Sequence, residues 1–516
     1  MTEKISGSRI PLWIRGTRIE SRGRLNRDLR ADVCVVGGGI AGLTTAYHLL
    51  MEGKTVVLLE DGTIGSGETG RTSAHLSNAL DDRYFALERL HGEAGARLAA
   101  ESHAFAIDDI ERIARENAIV CGFRRVPGYL FKDQPEASRQ LEKEFDAGRR
   151  AGLEISWTDR APFTNFDTGR CLLFPNQAEF HPMKYLAGLT LAVNKWGGQI
   201  FTDTHVVSVE GGTPARVTTA DGRVVTAGAV VVATNTPIND RFAVHTKQAA
   251  YRSYVLGILT GKNVVPHALY WDTGDPYHYI RVAENPNDAD TEILLIGGED
   301  EKTGQTSDGE GPFEKLERWT RERFPGMGAV QFRWSGQILE PVDGIAFIGK
   351  DPGGEENVFI ATGDSGNGLT HGTLGARLNA DLILGNENPW AALYDPSRAT
   401  LGSIRTFLRE NLNAAAQYAD WVTPGDAGDV DAIPPGKGAV IRRGLKKVAI
   451  YKGRDGRVSE CSAVCPHLNA IVRWNDQEGS WDCPAHGSRF ATDGHVLNGP
   501  AVSNLSPIEE ESKTQG

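Results

Sequence analysis

Four residues near the C-terminal end have the types and spacing of a metal clamp. Cys465-Pro466-His467 is followed after 15 residues by Cys483-Pro484-Ala485-His486, a C-x-H-x15-C-x2-H pattern. Two thiolates suit one iron and two imidazoles the other, which is the donor set of a mixed-ligand [2Fe–2S] cluster. Zinc also accepts two Cys and two His, but its ligands more often come as C-x2-C and H-x3-H pairs. Interleaved pairs in Pro-containing loops favour the cluster, with Cys465, His467, Cys483 and His486 as the metal ligands. Cys461 lies four residues upstream of Cys465 and is surplus to a complete set of four.

The second chemical signature is Gly37-Gly38-Gly39-Ile40-Ala41-Gly42, which fits G-x-G-x-x-G. Gly37 permits the tight turn, Gly39 lets a pyrophosphate approach the backbone, and Gly42 packs helix on strand. The helix N-terminus then faces the diphosphate charge. Glu60 ends the next predicted strand, where a carboxylate can meet ribose hydroxyls. Further glycine-rich loops follow: Gly65-Ser66-Gly67-Glu68-Thr69-Gly70-Arg71-Thr72-Ser73-Ala74-His75, Pro341-Val342-Asp343-Gly344, and Gly363-Asp364-Ser365-Gly366-Asn367-Gly368-Leu369-Thr370-His371-Gly372. The last joins a strand to a helix N-terminus, which can present N–H groups to an electron-rich isoalloxazine edge.

These residues need a frame. Val33–Val36 reads as a buried parallel strand, Ile40–Leu50 as a helix and Thr55–Glu60 as a second strand, a βαβ opening. Tyr84–Ala106 and Ala137–Ala151 have helical spacing. Val206–Glu210, Arg216–Thr219 and Arg223–Thr226 read as short strands, and Gly228–Asn235 and Asn357–Thr362 as buried ones. Residues 245–300 read as alternating strands. Helices are expected through Leu384 and over Ser403–Ala416. Pro424–Gly438 reads as a linker, with short strands and turns after it. Residues 1–30 read as a polar, irregular extension with Pro11 and Trp13 as packing points.

The chain of 516 residues, 40% hydrophobic and 24% charged, suits a globular protein of several domains. A net charge of −12 without a basic tract argues against nucleic acid as a partner. Apolar runs such as Ala229–Ala233 are far too short to span a bilayer, and the N-terminus lacks a secretory apolar stretch. The expected location is the cytoplasm. Six Cys do not make a disulfide framework in a chain of this length.

The ordered set GGGIAG, GSGETGRTSAH, VVVATN and IATGDSGNGLTHG resembles the D-amino-acid-oxidase/glycine-oxidase class of flavoproteins over residues 31–390. The resemblance implies one FAD on an α/β, Rossmann-like FAD-binding domain with an interleaved antiparallel-sheet substrate domain. The FAD-binding parts would be about 31–80, 175–240 and 335–390, and the substrate parts about 81–174 and 241–334, within 31–400. It places Gly37, Gly39, Ile40, Ala41, Gly42 and Glu60 at the cofactor. Gly67, Thr69, Gly70, Arg71 and Thr72 join them from the second loop, and Val206 or Val207, with Val207 preferred, lies near the adenine. Ala233 and Thr234 follow, then Gly363, Gly366, Gly368, Leu369 and Thr370 beside the flavin. Some relatives attach FAD covalently. Here no Cys lies in the 290–345 stretch, and Arg71 occupies the place of an attaching His, with His75 four residues later. Non-covalent FAD is expected, with Cys34, Cys121 and Cys171 as buried small hydrophobes.

Residues 433–510, with His486-Gly487-Ser488-Arg489-Phe490 and Gly499-Pro500-Ala501, resemble a Rieske domain. That domain would be all-β and run over 433–516, after a helix and linker at 401–432. Ala470 and Ala485 stand where respiratory Rieske proteins have a disulfide, and Phe490 replaces a Tyr that donates to sulfur. Ser488 is retained. The resemblance therefore implies an intermediate or low potential.

The whole chain resembles fused FAD-oxidoreductase/Rieske proteins, and the pairing suggests a transducer of two electrons into single ones. No second G-x-G-x-x-G follows a strand, so hydride from NAD(P)H is not expected. No close His pair suits a mononuclear iron; His267 and His278 are eleven apart. The expectation is oxidation of an amine, an amino acid or N-methylated amine, by hydride transfer to flavin. Electrons would leave singly through the cluster to a ferredoxin, a quinone or O₂. The alternative is a redox relay or sensor without a small substrate. His371, Tyr251, Tyr279 and Arg281 are the candidates over the flavin, since aromatics with one Arg can hold an amine and its carboxylate.

Overall fold

The computed structural model describes residues 9–17, 19–239, 244–305 and 310–508. The buried run Leu29–Val36 lies inside an eight-stranded sheet. Val56–Leu59 pairs with it on one side and Val224–Val232 on the other, all parallel. Gln199–Phe201 and Val358–Thr362 extend the parallel core outward. Phe347–Lys350 closes one edge antiparallel, while Val206–Glu210 and Ala215–Thr219 form an antiparallel annex on Val224–Val232. The chain leaves Leu29–Val36 in opposite directions to its two neighbours, and ligands bind at such a switch point, beyond the C-terminal ends of the strands.

Helices Ile40–Met51 and Gly368–Leu384 pack on this sheet and on each other. The helix expected over Tyr84–Ala106 runs from Tyr84 to Glu116, with a break at Gly92 (φ 74°). Two expected strands, Arg223–Thr226 and Gly228–Asn235, are one strand, Val224–Val232. Gly228 does not interrupt it. A Cβ there would come within 3.0 Å of the Asp32 carbonyl, so the glycine serves a close backbone approach.

The second sheet has nine strands and covers the cavity described below. Its order runs Val330–Pro341, Gln248–Gly261, Thr291–Lys302, His278–Glu284, Leu269–Asp272, Arg124–Phe131, Cys171–Glu179, His75–Leu76, with Ser156–Thr158 on Cys171–Glu179. Pairing is antiparallel except between Leu269–Asp272 and Arg124–Phe131. The seams expected at 175 and 335 therefore fall later, because Cys171–Glu179 and Val330–Pro341 belong to this sheet. The described part of the N-terminal extension packs on the second glycine loop: Leu12, Trp13 and Leu25 are buried, and Trp13 Nε1 donates to Thr72 O at 2.6 Å.

Helix Ile404–Ala416 and the turn Gln417–Trp421 lead to two small sheets. One holds Lys437–Arg443, Lys446–Lys452 and Val458–Ser462. The other holds Arg473–Asn475, Ser480–Asp482, Arg489–Phe490 and Val496–Asn498. The expected linker is strapped down: Asp426 N donates to Val440 O at 2.7 Å, and Val440 N to the Asp426 carboxylate at 2.9 Å. Among the described residues no helix is long and apolar enough to cross a membrane.

Candidate active site

A cavity of about 330 Å³ lies at the switch point of the parallel sheet. The Gly37–Gly42 turn forms one wall. Gly37 sits at φ 111°, and a Cβ on Gly37 or Gly42 would collide with the carbonyl oxygens of Ala233 and Gly37. The following helix has no side-chain cap, so part of its first turn of N–H groups is left for a ligand; Ile40 N donates to Thr69 Oγ1 at 3.1 Å. Glu60 accepts from Gly38 N at 2.6 Å and Gly62 N at 2.9 Å, which aims its carboxylate along the cavity. Burial pushes its carboxyl above the usual range, against the pull of those two N–H groups.

Of the residues expected at FAD, Gly37, Gly39, Ile40, Ala41, Glu60, Gly67, Thr69, Arg71, Thr72, Ala233, Thr234, Gly366, Gly368 and Leu369 line this cavity. Five do not, each for a packing reason. Gly42 backs the turn, Gly70 lies on the Gly65 carbonyl, and Gly363 abuts Pro341. Thr370 Oγ1 meets His103 Nδ1 at 2.8 Å. Val207 points outward, and its neighbour Val206 faces the cavity, as pleat alternation requires.

The second sheet supplies the opposite wall through Ser253, Val255, Trp271 and Tyr279, joined by Tyr277 just before the His278–Glu284 strand. Tyr279 OH bonds Ser253 Oγ at 2.9 Å, and its ring lies where a Cβ on Gly297 would be. Gly297 thus makes room for Tyr279 and is not itself a cavity residue. Tyr277 OH donates to Asp81 Oδ2 at 3.4 Å. His75 stands 5.5 Å from the Tyr279 ring and 6.0 Å from Trp271. Burial pushes the His75 imidazole down to about 3 and the Asp81 carboxyl up to about 6. His371 also lines the cavity. Its Nδ1 donates to Asp364 O at 2.9 Å and its Nε2 lies 3.1 Å from His103 Nε2; burial pushes it down to about 4.

Two candidates fall away from the cavity. Tyr251 lies under the Lys302 ammonium, 5.6 Å from ring centroid to nitrogen. Arg281 is buried and engaged by Glu179 at 3.3 Å and by the carbonyls of Ala74 and Phe180 at 2.5 and 3.4 Å. It cannot hold a substrate carboxylate. Cys34, Cys121 and Cys171 are buried off the cavity, and burial raises all three thiols.

The four candidate metal ligands converge from two loops. Cys465 N donates to Ala470 O at 2.9 Å and Cys483 N to Ser488 O at 2.8 Å, closing each loop on itself. The two sulfurs share a hydrogen bond, which holds Cys465 below the usual thiol range against burial; N–H groups of His467 and Leu468 and the Ser488 hydroxyl add to it. The His467 and His486 rings stand 5.1 Å apart at 89°. The buried Nδ1 of His486 has no hydrogen-bond partner in the protein. A thiol pair beside an imidazole pair, with a ring nitrogen left open, fits a [2Fe–2S] cluster held by two Cys and two His.

Sequence reasoning missed the junction between these two sites. Gln337 lines the cavity, and its Nε2 donates to Gly487 O, next to His486, at 3.2 Å. Asn498 Nδ2 donates to Glu68 Oε1 at 2.8 Å, and Val496–Gly499 join the cavity wall. His245 lies 5.0 Å from the His467 ring and 6.2 Å from that of His486. Beneath the junction, Glu478 faces three buried arginines: Arg71 at 3.4 Å, Arg489 at 3.8 Å and Arg252 at 3.9 Å. Ser335 Oγ donates to Glu478 Oε1 at 2.5 Å, and Asp482 pairs with Arg489 at 3.1 Å. Burial would raise the Glu478 carboxyl, but Arg252, Arg71 and Arg489 hold it below the usual range. No local motif announces such a cluster, since its members come from four distant segments.

Comparison with known proteins agrees with both halves. A family model described as FAD dependent oxidoreductase matches residues 32–382, and one described as Rieske [2Fe-2S] domain matches residues 421–509. The chain is 30% identical over 499 residues to YhfW of Bacillus subtilis (strain 168), named as a Rieske 2Fe-2S iron-sulfur protein; the match covers 96% of this chain and 97% of that one. It is 30% identical over 386 residues to gamma-glutamylputrescine oxidoreductase of Escherichia coli (strain K12), covering 70% and 85%. The crystal structure of glycine oxidase from Geobacillus kaustophilus superposes with a TM-score of 0.60 at 20% identity, covering 72% of this chain and 99% of that one.

Proposed function

Because the chain belongs to the FAD dependent oxidoreductase family and carries a C-terminal Rieske [2Fe-2S] domain, we propose that it oxidises an amine and sends the electrons out singly through the cluster. When bound, FAD would supply a two-electron acceptor for the hydrogen and electron pair of the C–H beside nitrogen, and the cluster would supply a one-electron carrier. The chain's own residues do the rest. The Gly37–Gly42 turn and Glu60 would hold the dinucleotide. Cys465, Cys483, His467 and His486 would hold the cluster. Trp271, Tyr277 and Tyr279 line the cavity and would shield the reacting carbon from water.

The observation that carries this reading is Gln337, a cavity residue bonded through Nε2 to Gly487 in the cluster loop. It supports direct passage of electrons from one site to the other. The outside acceptor and the cytoplasmic location stay part of the proposal. The test is anaerobic mixing of the holoprotein with a panel of amines, following flavin bleaching and the reduced-cluster EPR signal together. The expected result is bleaching by an amine followed by the cluster signal. If only a reduced carrier protein bleaches the flavin, electrons enter from a protein and the amine reading is wrong.

A further inference from the structure

We propose that the amine oxidised here binds as a cation with no carboxylate on the reacting carbon and gives up its ammonium proton before the C–H hydrogen and its electron pair leave; this rests on the amine-oxidation reading above. An α-amino acid would bring a carboxylate into the cavity, and a buried carboxylate needs a guanidinium or ammonium partner. Among the described lining residues Arg71 is the sole Lys or Arg. Its guanidinium is turned away, with Nε on Ser335 O at 2.6 Å, Nη1 on Arg9 O at 3.3 Å and Nη2 on Glu478 at 3.4 Å. Arg83, near Asp81 in sequence, is buried with its guanidinium on the carbonyls of Leu80 at 3.3 Å and Asp272 at 3.2 Å. Arg281 is engaged by Glu179. The two imidazoles at this end, His75 and His371, are pushed down by burial and stay neutral near pH 7. Among the described residues at this end of the cavity, no positive charge is left for a carboxylate.

The wall offers the opposite chemistry. Asp81 lies beside Tyr277, whose ring is 5.9 Å from that of Tyr279, with Trp271 on the same lining. A carboxylate flanked by aromatic faces recognises an ammonium group. Burial lifts the Asp81 carboxyl to about 6, which leaves it ionised at pH 8. A decarboxylated amine therefore meets charge and ring faces, whereas its α-carboxylated counterpart meets a second carboxylate.

Two readouts separate this inference from the reading it rests on. The first is binding. The oxidised holoprotein at pH 8 is titrated with n-butyltrimethylammonium and, separately, with butyrate, following the FAD absorption band. The ammonium is expected to bind at least about tenfold more tightly, and Asp81→Asn to weaken it by about tenfold while butyrate binds no more weakly, the repelling charge being gone. Tyr277→Leu, which removes one aromatic face, is expected to weaken the ammonium in the same direction. Tighter butyrate, or ammonium binding indifferent to both substitutions, overturns the proposal. The second readout is anaerobic bleaching by matched pairs: benzylamine against 2-phenylglycine, and 1,4-diaminobutane against ornithine. Faster bleaching by the carboxylated members overturns the inference and leaves amine oxidation standing. If no member of either pair bleaches the flavin, amine oxidation fails, and the probe titration still decides which charge the cavity takes.

Discussion

His278 lies flat against Trp319, ring centroids 4.1 Å apart, with Nδ1 2.8 Å from Asp272 and Nε2 3.4 Å from Glu299. Burial alone would lower its pKa, but the hydrogen bond to Asp272 and the nearby Glu299 carboxylate outweigh that and push it up to about 9. A raised folded-state pKa stabilises the fold fully below the unfolded value near 6.5, and the benefit is lost as pH rises through about 9. Denaturant melts of wild type and His278→Gln at pH 6 and pH 10 should therefore differ. The stability gap between the two proteins is expected to be about 3 kcal/mol larger at pH 6. An equal gap at both pH values would refute the charged pair. The same strand shows what sequence can and cannot deliver about single residues. Alternation puts Tyr277 and Tyr279 on one face and His278 on the other, which is legible from spacing. Which face meets the cavity is not, because that depends on which strands lie alongside. Arg281 shares the face of Tyr279, yet Glu179 from a distant strand claims its guanidinium.

At the scale of elements, the strand–turn–helix around Gly37–Gly42 was the most legible part of the fold. Its residue types are dictated by backbone geometry within a few positions. A methyl group on Gly42 would strike the Gly37 carbonyl, and the strand side chain of Val35 is 3.3 Å away. The backbone on both sides leaves nowhere to yield. Gly42→Ala should push the helix off the strand and open the turn that faces the dinucleotide. We expect the purified variant to carry less than about a tenth of the wild-type FAD, measured by the ratio of 450 to 280 nm absorbance, with far-ultraviolet circular dichroism retained. Full flavin content in this variant would remove the turn from the cofactor site. The nine-stranded sheet was far less legible. Arg124–Phe131 pairs with Leu269–Asp272, and Gln248–Gly261 with Val330–Pro341, partners that no local period can name. The helix breaker at Gly92 and the uninterrupted strand through Gly228 show the same limit from the other side: a glycine ends an element or eases a close approach according to its neighbours.

At the scale of the whole molecule, the two halves meet at Glu478, the carboxylate between Arg71, Arg252 and Arg489. Two of those arginines belong to the flavin half and one to the cluster half, so this buried side chain joins the halves by charge, beside the bonds of Gln337 to Gly487 and Asn498 to Glu68. Its position also accounts for Arg71. In the sequence Arg71 stands where some relatives attach FAD, but its side chain reaches away from the cavity to the junction. Glu478→Gln would keep the shape and the bond from Ser335 while leaving Arg71 and Arg252 without this carboxylate and Arg489 with Asp482 alone. Loss of one partner of a buried charge pair costs about 3–5 kcal/mol, much of which repulsion between the arginines would relieve by moving the domains apart. Ser335, which bonds Glu478, lies two residues from Gln337, so the strain falls beside the contact between Gln337 and Gly487 and away from the Gly37–Gly42 turn. Amine-driven flavin bleaching should therefore keep its rate in Glu478→Gln, while the appearance of the reduced-cluster EPR signal slows by about tenfold or more. Stopped-flow absorbance and freeze-quench EPR on the same mixtures measure both. A cluster signal that still keeps pace with bleaching would mean that the buried charges hold the halves together without setting electron passage. A loss of both rates would place Glu478 in the support of the cavity itself.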